Sequence, residues 1–194
     1  MDRGYVNRIA GTNSRLEYLS ERSPHNNKSF CSKTQHGEQI MSEIGPLPAG
    51  ITRAGEGVDG TVWNVLGHTY WFKANCDSAF SFETLDPPGT FVPPHIHPTQ
   101  DEFIYVLEGV FDLYLDGQWL QAKAGDLVCM PKGKPHGYYN RTDKPNRAIF
   151  WVSPARKLKE LFDLLHDLQD PEEVVRRSAT CEVDFLPPGS VPGA

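Results

Sequence analysis

Alternating hydrophobic and polar residues dominate the chain from about residue 58 to residue 153. Short runs rich in Val, Ile, Phe, Tyr and Trp are separated there by turn signals such as Asp116-Gly117. This pattern is typical of short antiparallel strands. The predicted strands lie at 61–66, 68–74, 79–85, 102–109, 110–117, 118–122, 126–131 and 148–153. Because no helical pattern separates them, they predict an all-β fold, an antiparallel sandwich or barrel.

The hydrophobic period lengthens after residue 153. One apolar stripe at helical spacing consists of Leu158, Leu161, Phe162, Leu165 and Leu168. This stripe predicts an amphipathic helix. Asp170, followed by Pro171 and two acidic residues, predicts the start of a second short helix, because it offers a cap and then a proline at the first position. We expect both helices to pack on the outside of the β core.

The first 45 residues differ from the rest of the chain. They are polar and show no sustained apolar period, which predicts an N-terminal arm or a poorly ordered leader. Residues 46–194 are then expected to form a single domain with a core barrel at about 60–153. The opening stretch lacks the apolar segment of a secretory signal, and Met41 is an alternative start.

Composition narrows the classes of function. No apolar run approaches the length of a membrane-spanning helix, so we expect no membrane partner. The net charge of −6 argues against nucleic acid as a partner. The four cysteines are far apart and are expected to be reduced thiols of a cytoplasmic protein. They are Cys31, Cys76, Cys129 and Cys181.

A glycine-rich stretch, GEGVDG at residues 55–60, matches the letters of the dinucleotide-binding motif. That motif requires a strand before it and a helix after it, so that phosphate lies at the helix N-terminus. A β-rich segment follows here instead. We therefore interpret residues 55–60 as a loop.

The stretch PPHIHPTQDEF, residues 93–103, carries the clearest chemical signal. In an extended segment the side chains of His95 and His97 lie on one face. Glu102 begins the next predicted strand, and His136 follows a later hairpin. Neighbouring strands lie about 4.8 Å apart, so residues from several strands can converge inside a small barrel. Three imidazoles and one carboxylate would then be directed at one point.

These residues belong to two longer motifs. The first contains Gly89, His95, His97, Glu102 and Gly109, and the second contains Gly125, Pro131, Gly133, His136 and Asn140. Their spacing resembles the double signature of the cupin superfamily at every fixed position. The resemblance implies a cupin β-barrel (a double-stranded β-helix or jelly roll), commonly a homodimer. It also implies one divalent metal ion per chain, bound through the positions of His95, His97, Glu102 and His136.

The four implied ligands bear on the choice of metal. On a tetrahedral zinc ion they would close the site to substrate. On an octahedral ion they leave two positions open, which favours iron, manganese or nickel, with cobalt and zinc also compatible. Glu102 is the protein base within the set, so it is the candidate catalytic residue as well as a ligand.

Aromatic residues near the motifs are candidates for a substrate pocket. Phe80 and Phe82 share one face of their predicted strand, and Phe150 lies on a later one. If the strand of His136 stays extended, Tyr138 and Asn140 face inward with it. A role in the core and a role in a pocket both remain open for these residues.

Two other aromatic residues and the other histidines are expected to lie outside the site. Phe103 and Tyr105 have the opposite parity to Glu102, so we expect them on the outer face, covered by the terminal helix or a second subunit. The remaining histidines are expected to be ordinary surface or turn residues. They are His25, His36, His68 and His166.

Within the cupins, the layout resembles the single-domain, quercetinase-like dioxygenases of bacteria. The resemblance lies in the aromatic strands before the first motif, the helix after the barrel and the closing stretch CEVDFLPPG, residues 181–189. It implies a metal-dependent dioxygenase that takes O2 and a small aromatic or enolisable hydroxylated substrate. Two alternatives remain: a non-redox isomerase, decarboxylase or lyase, and a non-catalytic protein that binds a small ligand.

Overall fold

The computed structural model describes residues 47–194 and contains eleven strands and two α-helices in that range. All eight predicted strands are present. The predicted arm, residues 1–45, lies outside the described residues, as does Met41. The elements are β1 (Val62–Val65), β2 (His68–Cys76), β3 (Ala79–Asp86), β4 (Phe91–Ile96), β5 (Asp101–Glu108), β6 (Val110–Leu115), β7 (Gln118–Lys123), β8 (Leu127–Met130), β9 (His136–Tyr139), β10 (Asn146–Ser153), α1 (Leu158–Leu165), α2 (Pro171–Thr180) and β11 (Asp184–Phe185).

The strands form two antiparallel sheets. One has the order β1-β2-β3-β10-β5-β8, and the other has the order β11-β4-β9-β6-β7. After β3 the chain passes repeatedly from one sheet to the other, which is the connectivity of a jelly roll. The predicted fold class, an antiparallel jelly-roll β-barrel followed by C-terminal helices, is confirmed.

Alternation along the central strands builds the core between the sheets. In β10 every second residue is buried, including Ala148, Phe150 and Val152. Phe111 and Leu113 are the fully buried counterparts from β6 in the other sheet. Burying a side chain of this size stabilises the fold by about 1.5–3 kcal/mol. The two-residue period of the sequence is therefore what holds the sheets together.

Helix α1 is shorter than the predicted stripe. The four stripe residues up to Leu165 are buried, but the helix ends there because His166 has a ψ of 126° and Asp167 adopts a φ of +57°. The Asp167 N–H donates to the Asn64 carbonyl at 2.8 Å, which diverts the chain toward β1. Leu168 therefore lies beyond the helix and packs against the core as a partly buried residue.

The helices pack more deeply than the predicted position on the outside of the β core. The Phe162 ring of α1 lies 4.8 Å from Phe82 and 5.0 Å from Tyr70, measured between ring centroids. Helix α2 begins as predicted, because the Asp170 carboxylate accepts from the N–H of Glu172 at 3.0 Å. Residues of α1 thus form part of the aromatic core.

The outer face of the six-stranded sheet carries the two aromatic residues predicted to lie there. Phe103 is half-buried because Trp151, on the neighbouring strand, stacks on it at 5.1 Å between ring centroids. Tyr105 is 43 % exposed. Cover for Phe103 therefore comes from β10, and the predicted homodimer stays a prediction.

Two further expectations concern cysteines and membranes. Cys76, Cys129 and Cys181 are free thiols, and Cys31 lies outside the described residues. Among residues 47–194, no helix has the length and apolar character that crossing a membrane requires.

The glycine-rich stretch at 55–60 is a loop that ends in a short 3-10 turn, as predicted. Its Gly55 N–H donates to the Glu83 carboxylate at 2.9 Å. Lys73 lies 2.8 Å from the same carboxylate, and Arg147 binds its other oxygen. Glu83 is only 1 % exposed. Burial alone would raise its pKa, but these three donors outweigh burial and lower it.

This network predicts a pH-dependent loss of stability in Glu83→Gln. Because the pKa of Glu83 is lower in the folded protein, its stabilising effect is present above the unfolded pKa of about 4.3 and is lost as the pH falls through the folded pKa. The variant should be about 2 kcal/mol less stable than the wild type near pH 7, with a smaller difference in acid. Urea denaturation over pH measures this. The exposed Glu108→Gln is the control, and an equal loss at all pH values would contradict the network.

Candidate metal centre

Three strands bring the predicted ligands to one point between the sheets. His95 lies in β4, directly opposite His136, the first residue of β9. His97 follows the end of β4, and Glu102 is the second residue of β5 in the other sheet. One ligand atom from each residue lies within 4.8 Å of the others. All four side chains are buried, and together they form the histidine–glutamate cluster.

The distances within the histidine–glutamate cluster are those of groups that share one small ligand. The Glu102 Oε2 atom lies 3.0 Å from His136 Nε2, 3.3 Å from His97 Nε2 and 4.0 Å from His95 Nε2. The Nε2 atoms of His95 and His97 lie 3.1 Å apart. The same nitrogen of each ring therefore faces the centre.

The other ring nitrogen of each histidine faces an acceptor. His95 Nδ1 lies 3.0 Å from the Pro93 carbonyl, and His136 Nδ1 lies 2.9 Å from the Lys134 carbonyl. His97 Nδ1 lies 3.1 Å from Gln100 Oε1. With a metal bound, these acceptors would favour the tautomer in which Nδ1–H donates outward and the Nε2 lone pair points to the centre. Without a cation, His136 and His97 donate from Nε2 to Glu102.

Gln100 is fully buried, and its amide orientation is set by its surroundings. Its NH2 group donates to the carbonyls of Pro154 at 3.1 Å and Ala155 at 2.7 Å, so its oxygen must be the atom that accepts from His97. Sequence reasoning missed this residue. Its place between His97 and Glu102 is a weak signal, because no spacing rule marks it.

The donor set fits a divalent metal ion. The Nε2 atoms of His95 and His97 lie 3.1 Å apart, so one cation at the centre could accept the lone pairs of both rings. Imidazole nitrogens with one carboxylate oxygen are ligands for iron, manganese, cobalt, nickel and zinc alike. The protein thus has a buried cluster of three histidines and one glutamate that could hold a metal, whose identity the donor set leaves open.

The pKa values of Glu102 and His95 are shifted in the directions that favour binding of a cation. Burial alone would raise the pKa of Glu102, but hydrogen bonds from His136 and His97 outweigh burial and hold the pKa far below its usual range. Burial, and then the neighbouring His136 and His97, lower the pKa of His95 well below its usual value. At neutral pH Glu102 is therefore a carboxylate and His95 is a neutral imidazole, the forms that can bind a cation.

A cavity of about 420 Å³ opens onto this cluster. His95, His97 and Glu102 form part of its wall, and most of the remaining wall is apolar. Phe82, Tyr138 and Phe150, three of the four predicted pocket residues, also line it. A small molecule in this cavity would therefore contact both the cluster and a set of aromatic rings.

Phe80, the fourth predicted pocket residue, lies elsewhere. It is fully buried outside the cavity wall, with its ring 5.7 Å from Phe162 and 6.1 Å from Trp63, measured between centroids. It shares a face of β3 with Phe82. However, it lies nearer the start of the strand, where the aromatic cluster under α1 fills the space.

The sequence suggested that Asn140 faces inward with Tyr138, but in the structure Asn140 is not part of the cavity wall. It lies just past the end of β9, where its side-chain NH2 donates to the carbonyls of Asp86 and Lys144, both at 2.7 Å. Its backbone N–H donates to the Thr90 carbonyl at 2.9 Å. Asn140 therefore joins the loop between β3 and β4 to the loop between β9 and β10 at one end of the barrel.

His68 also needs correction, because it is buried and belongs to the cavity wall. Its Nδ1 lies 2.6 Å from Asp86 Oδ1, and its Nε2 lies 3.2 Å from the Phe91 carbonyl. Thr84 donates to the other Asp86 oxygen at 2.6 Å. The sequence contained a signal for this contact. The predicted strands β2 and β3 are joined by a short turn, so His68 at the start of one lies beside Asp86 at the end of the other.

The cavity contains a second polar feature that the sequence did not reveal. The hydroxyls of Tyr70 and Tyr138 lie 3.0 Å apart, and both residues are buried in the cavity wall. Burial raises the pKa of both groups. Both therefore remain neutral hydroxyls at physiological pH.

Residues after the barrel complete the wall. Leu158, Leu161 and Phe162 of α1 line the cavity, as does Val174 of α2. Phe185 of β11 also lines it, with its ring centroid 5.3 Å from that of His95. The C-terminal segment therefore helps to shape the space above the histidine–glutamate cluster.

Comparison with known proteins supports the class that the fold and the cluster define. Residues 82–152 match the family model described as "Cupin domain". This range runs from β3 to β10 and contains all four residues of the histidine–glutamate cluster. The matched region, the jelly roll and the cluster together support membership of the cupin superfamily.

Among characterised proteins, the chain is similar to bacterial relatives over part of its length. It is 30 % identical over 74 residues to the tetracenomycin polyketide synthase protein TcmJ of Streptomyces glaucescens, covering 38 % of this chain and 50 % of that protein. It is 34 % identical over 77 residues to the polyketide synthase CurC of Streptomyces cyaneus, covering 40 % and 50 %. It is 28 % identical over 103 residues to quercetin 2,3-dioxygenase of Bacillus subtilis, covering 50 % and 31 %. The chain thus spans about half the length of the first two relatives.

Two solved structures are also similar to part of this chain. KdgF from Halomonas sp. matches with a TM-score of 0.48 and 21 % identity, covering 54 % of this chain and 96 % of that chain. An RmlC-like cupin from Shewanella frigidimarina matches with a TM-score of 0.46 and 22 % identity, covering 50 % and 86 %.

The cluster predicts that His97→Ala abolishes metal loading while the barrel still folds. The change removes one imidazole from the set, and metal affinity depends on the full set of ligands. Elemental analysis should show a fall from about one metal equivalent per chain to near zero, and circular dichroism should be unchanged. The exposed His166→Ala is the matched control. A full metal equivalent in His97→Ala would contradict the ligand assignment.

The buried amide predicts a second, milder effect. Gln100→Leu should weaken metal affinity by about 10- to 100-fold, because the His97 ring loses the acceptor that orients it. Competition with a coloured chelator measures this affinity, and a thermal melt confirms that the variant is folded. The exposed Gln121→Leu should bind as the wild type does. Unchanged affinity in folded Gln100→Leu would refute the orienting role.

Proposed function

We propose that this protein is a metal-dependent dioxygenase that acts on a small aromatic or enolisable hydroxylated substrate. The observation that carries this proposal is the opening of the buried histidine–glutamate cluster onto a largely apolar cavity of about 420 Å³. Four protein ligands leave two positions free on a six-coordinate ion. A substrate oxygen and O2 both need access to such positions, and the cavity provides the access.

The charge of the cluster favours a substrate with an anionic oxygen. Three neutral imidazoles and the Glu102 carboxylate leave a net charge of +1 when a divalent ion is present. In a buried site, this charge attracts a phenolate or enolate oxygen more strongly than it would in water. When bound, the metal supplies the Lewis-acid and redox chemistry that a reaction with O2 requires.

The apolar wall favours an aromatic body for the same substrate. The Phe82 and Phe150 rings lie 5.2 Å apart between centroids, and the Tyr138 and Phe150 rings lie 5.1 Å apart. All three residues line the cavity. Aromatic side chains of this kind bind flat, apolar ring systems, and the volume is typical of small-molecule sites.

Glu102 has two predicted roles, as a ligand and as a base. Its strongly lowered pKa favours the ligand role, because a group that holds a proton weakly is a weak base. The surrounding imidazoles cause this lowering, so the base role depends on a substrate oxygen that is already acidic. Phenols and enols meet that requirement better than alcohols do.

A second candidate function follows from the relatives. Two of them are named as polyketide synthase proteins. A non-redox reaction on an enolisable substrate would use the same cluster and cavity without consuming O2. The name of the third relative, quercetin 2,3-dioxygenase, supports the first candidate.

Oxygen uptake by metal-reconstituted protein tests the proposal. Quercetin and a panel of catechols serve as substrates, and iron, manganese and nickel are loaded separately. We expect O2 consumption that matches substrate loss with one metal and one substrate class, and none with His97→Ala. Substrate conversion without O2 uptake would favour the non-redox candidate. Binding without conversion would contradict both enzymatic functions.

A further inference from the structure

The Tyr70–Tyr138 pair offers an unused hydrogen-bond donor inside the cavity. The two oxygens lie 3.0 Å apart, so one hydroxyl donates to the other. That bond uses one of the two hydroxyl hydrogens. Among residues 47–194, neither hydroxyl has another hydrogen-bond partner. The second hydrogen is therefore left without an acceptor, whichever residue carries it.

The neighbouring rings of the pair do not supply this acceptor. Tyr70 lies against Phe82 at 5.2 Å, and Tyr138 lies against Phe111 at 5.6 Å, measured between ring centroids. The ring of His68, which is polar, lies 5.6 Å from that of Tyr70. Both nitrogens of His68 are already occupied, by the Asp86 carboxylate and the Phe91 carbonyl.

Burial makes the unpaired donor significant. Tyr70 is 4 % exposed and Tyr138 is 6 % exposed, so an acceptor for the free hydrogen has to lie within the cavity and not at the outer surface. Both residues line the cavity that opens onto the histidine–glutamate cluster. A buried donor without a partner destabilises a protein, and at a functional site it is commonly satisfied by the ligand. An oxygen acceptor in the cavity would complete the pair.

The position of the pair limits the size of the ligand. Tyr138 lies two residues after His136 on β9, so both side chains point to the same face. Their α-carbons are about 6.6 Å apart along the strand. A ligand that reaches both the cluster and the pair therefore needs two oxygens on different parts of one ring system.

We propose that the Tyr70–Tyr138 pair determines specificity by donating a hydrogen bond to a carbonyl or phenolic oxygen of an aromatic ligand. A second oxygen of the same ligand faces the histidine–glutamate cluster. The ligand class is a fused or linked multi-ring aromatic with oxygens at two separated positions. This inference deepens the proposed function and rests on it, because it takes the ligand to be the substrate.

The test is the affinity of metal-loaded protein for quercetin, measured without O2 by quenching of tryptophan fluorescence. The double variant Tyr70→Phe/Tyr138→Phe removes both hydroxyls and keeps both rings. We expect its dissociation constant to rise about tenfold, the effect of one buried hydrogen bond. Metal content should be unchanged, and the melting temperature should not fall, because an unsatisfied donor has been removed.

Tyr139→Phe is the matched control. Tyr139 is also buried, and its hydroxyl also lacks a partner among the described residues, but the residue does not line the cavity. We expect quercetin to bind this variant as it binds the wild type. An equal loss of affinity in Tyr139→Phe would overturn the inference, as would unchanged affinity in the double variant. Failure of the wild type to bind quercetin would overturn the proposed ligand class.

The binding and oxygen experiments separate the two proposals. If the double variant loses affinity but the wild type consumes no O2 with the bound ligand, the dioxygenase proposal fails and the tyrosine site stands. If the wild type consumes O2 and the double variant binds normally, the tyrosine site fails and the dioxygenase proposal stands.

Discussion

A buried carboxylate, Glu102, is the constraint on which the rest of the site depends. A charge between two sheets is strongly destabilising unless hydrogen bonds and opposite charge compensate for it. Hydrogen bonds from His97 and His136 provide part of that compensation, and a metal cation would provide the remainder. Outward bonds from every imidazole then set the ring orientations. The geometry of the cluster thus follows from the need to neutralise one anion inside an apolar barrel.

Much of this architecture was predictable from local patterns. The strands follow from alternation of period two. The grouping of His95, His97, Glu102 and His136 follows from spacing, because turn glycines and strand length determine which residues meet. The end of α1 was not predictable in this way. Its apolar stripe continues to Leu168, but a long-range bond to the Asn64 carbonyl redirects the chain.

Two parts of the site that escaped prediction share one physical property. Gln100 and the tyrosine pair are defined by contacts between elements distant in sequence. For example, the Gln100 amide reaches the carbonyls of Pro154 and Ala155. No local period encodes such a contact. Phe80 shows the converse: it shares a face of β3 with Phe82, but its place among Trp63 and the other aromatic rings near the start of the strand keeps it out of the cavity wall.

The division of the cavity wall along the chain has an evolutionary consequence. The histidine–glutamate cluster lies within residues 82–152, the stretch shared with the family model, whereas α1, α2 and Phe185 lie after it. The C-terminal part of the cavity wall is thus encoded in a stretch of the gene separate from the histidine–glutamate cluster. Substitutions in the C-terminal segment can change which molecule fits while the cluster is left intact. Such modularity gives one barrel a route to change the shape of its cavity without rebuilding the cluster.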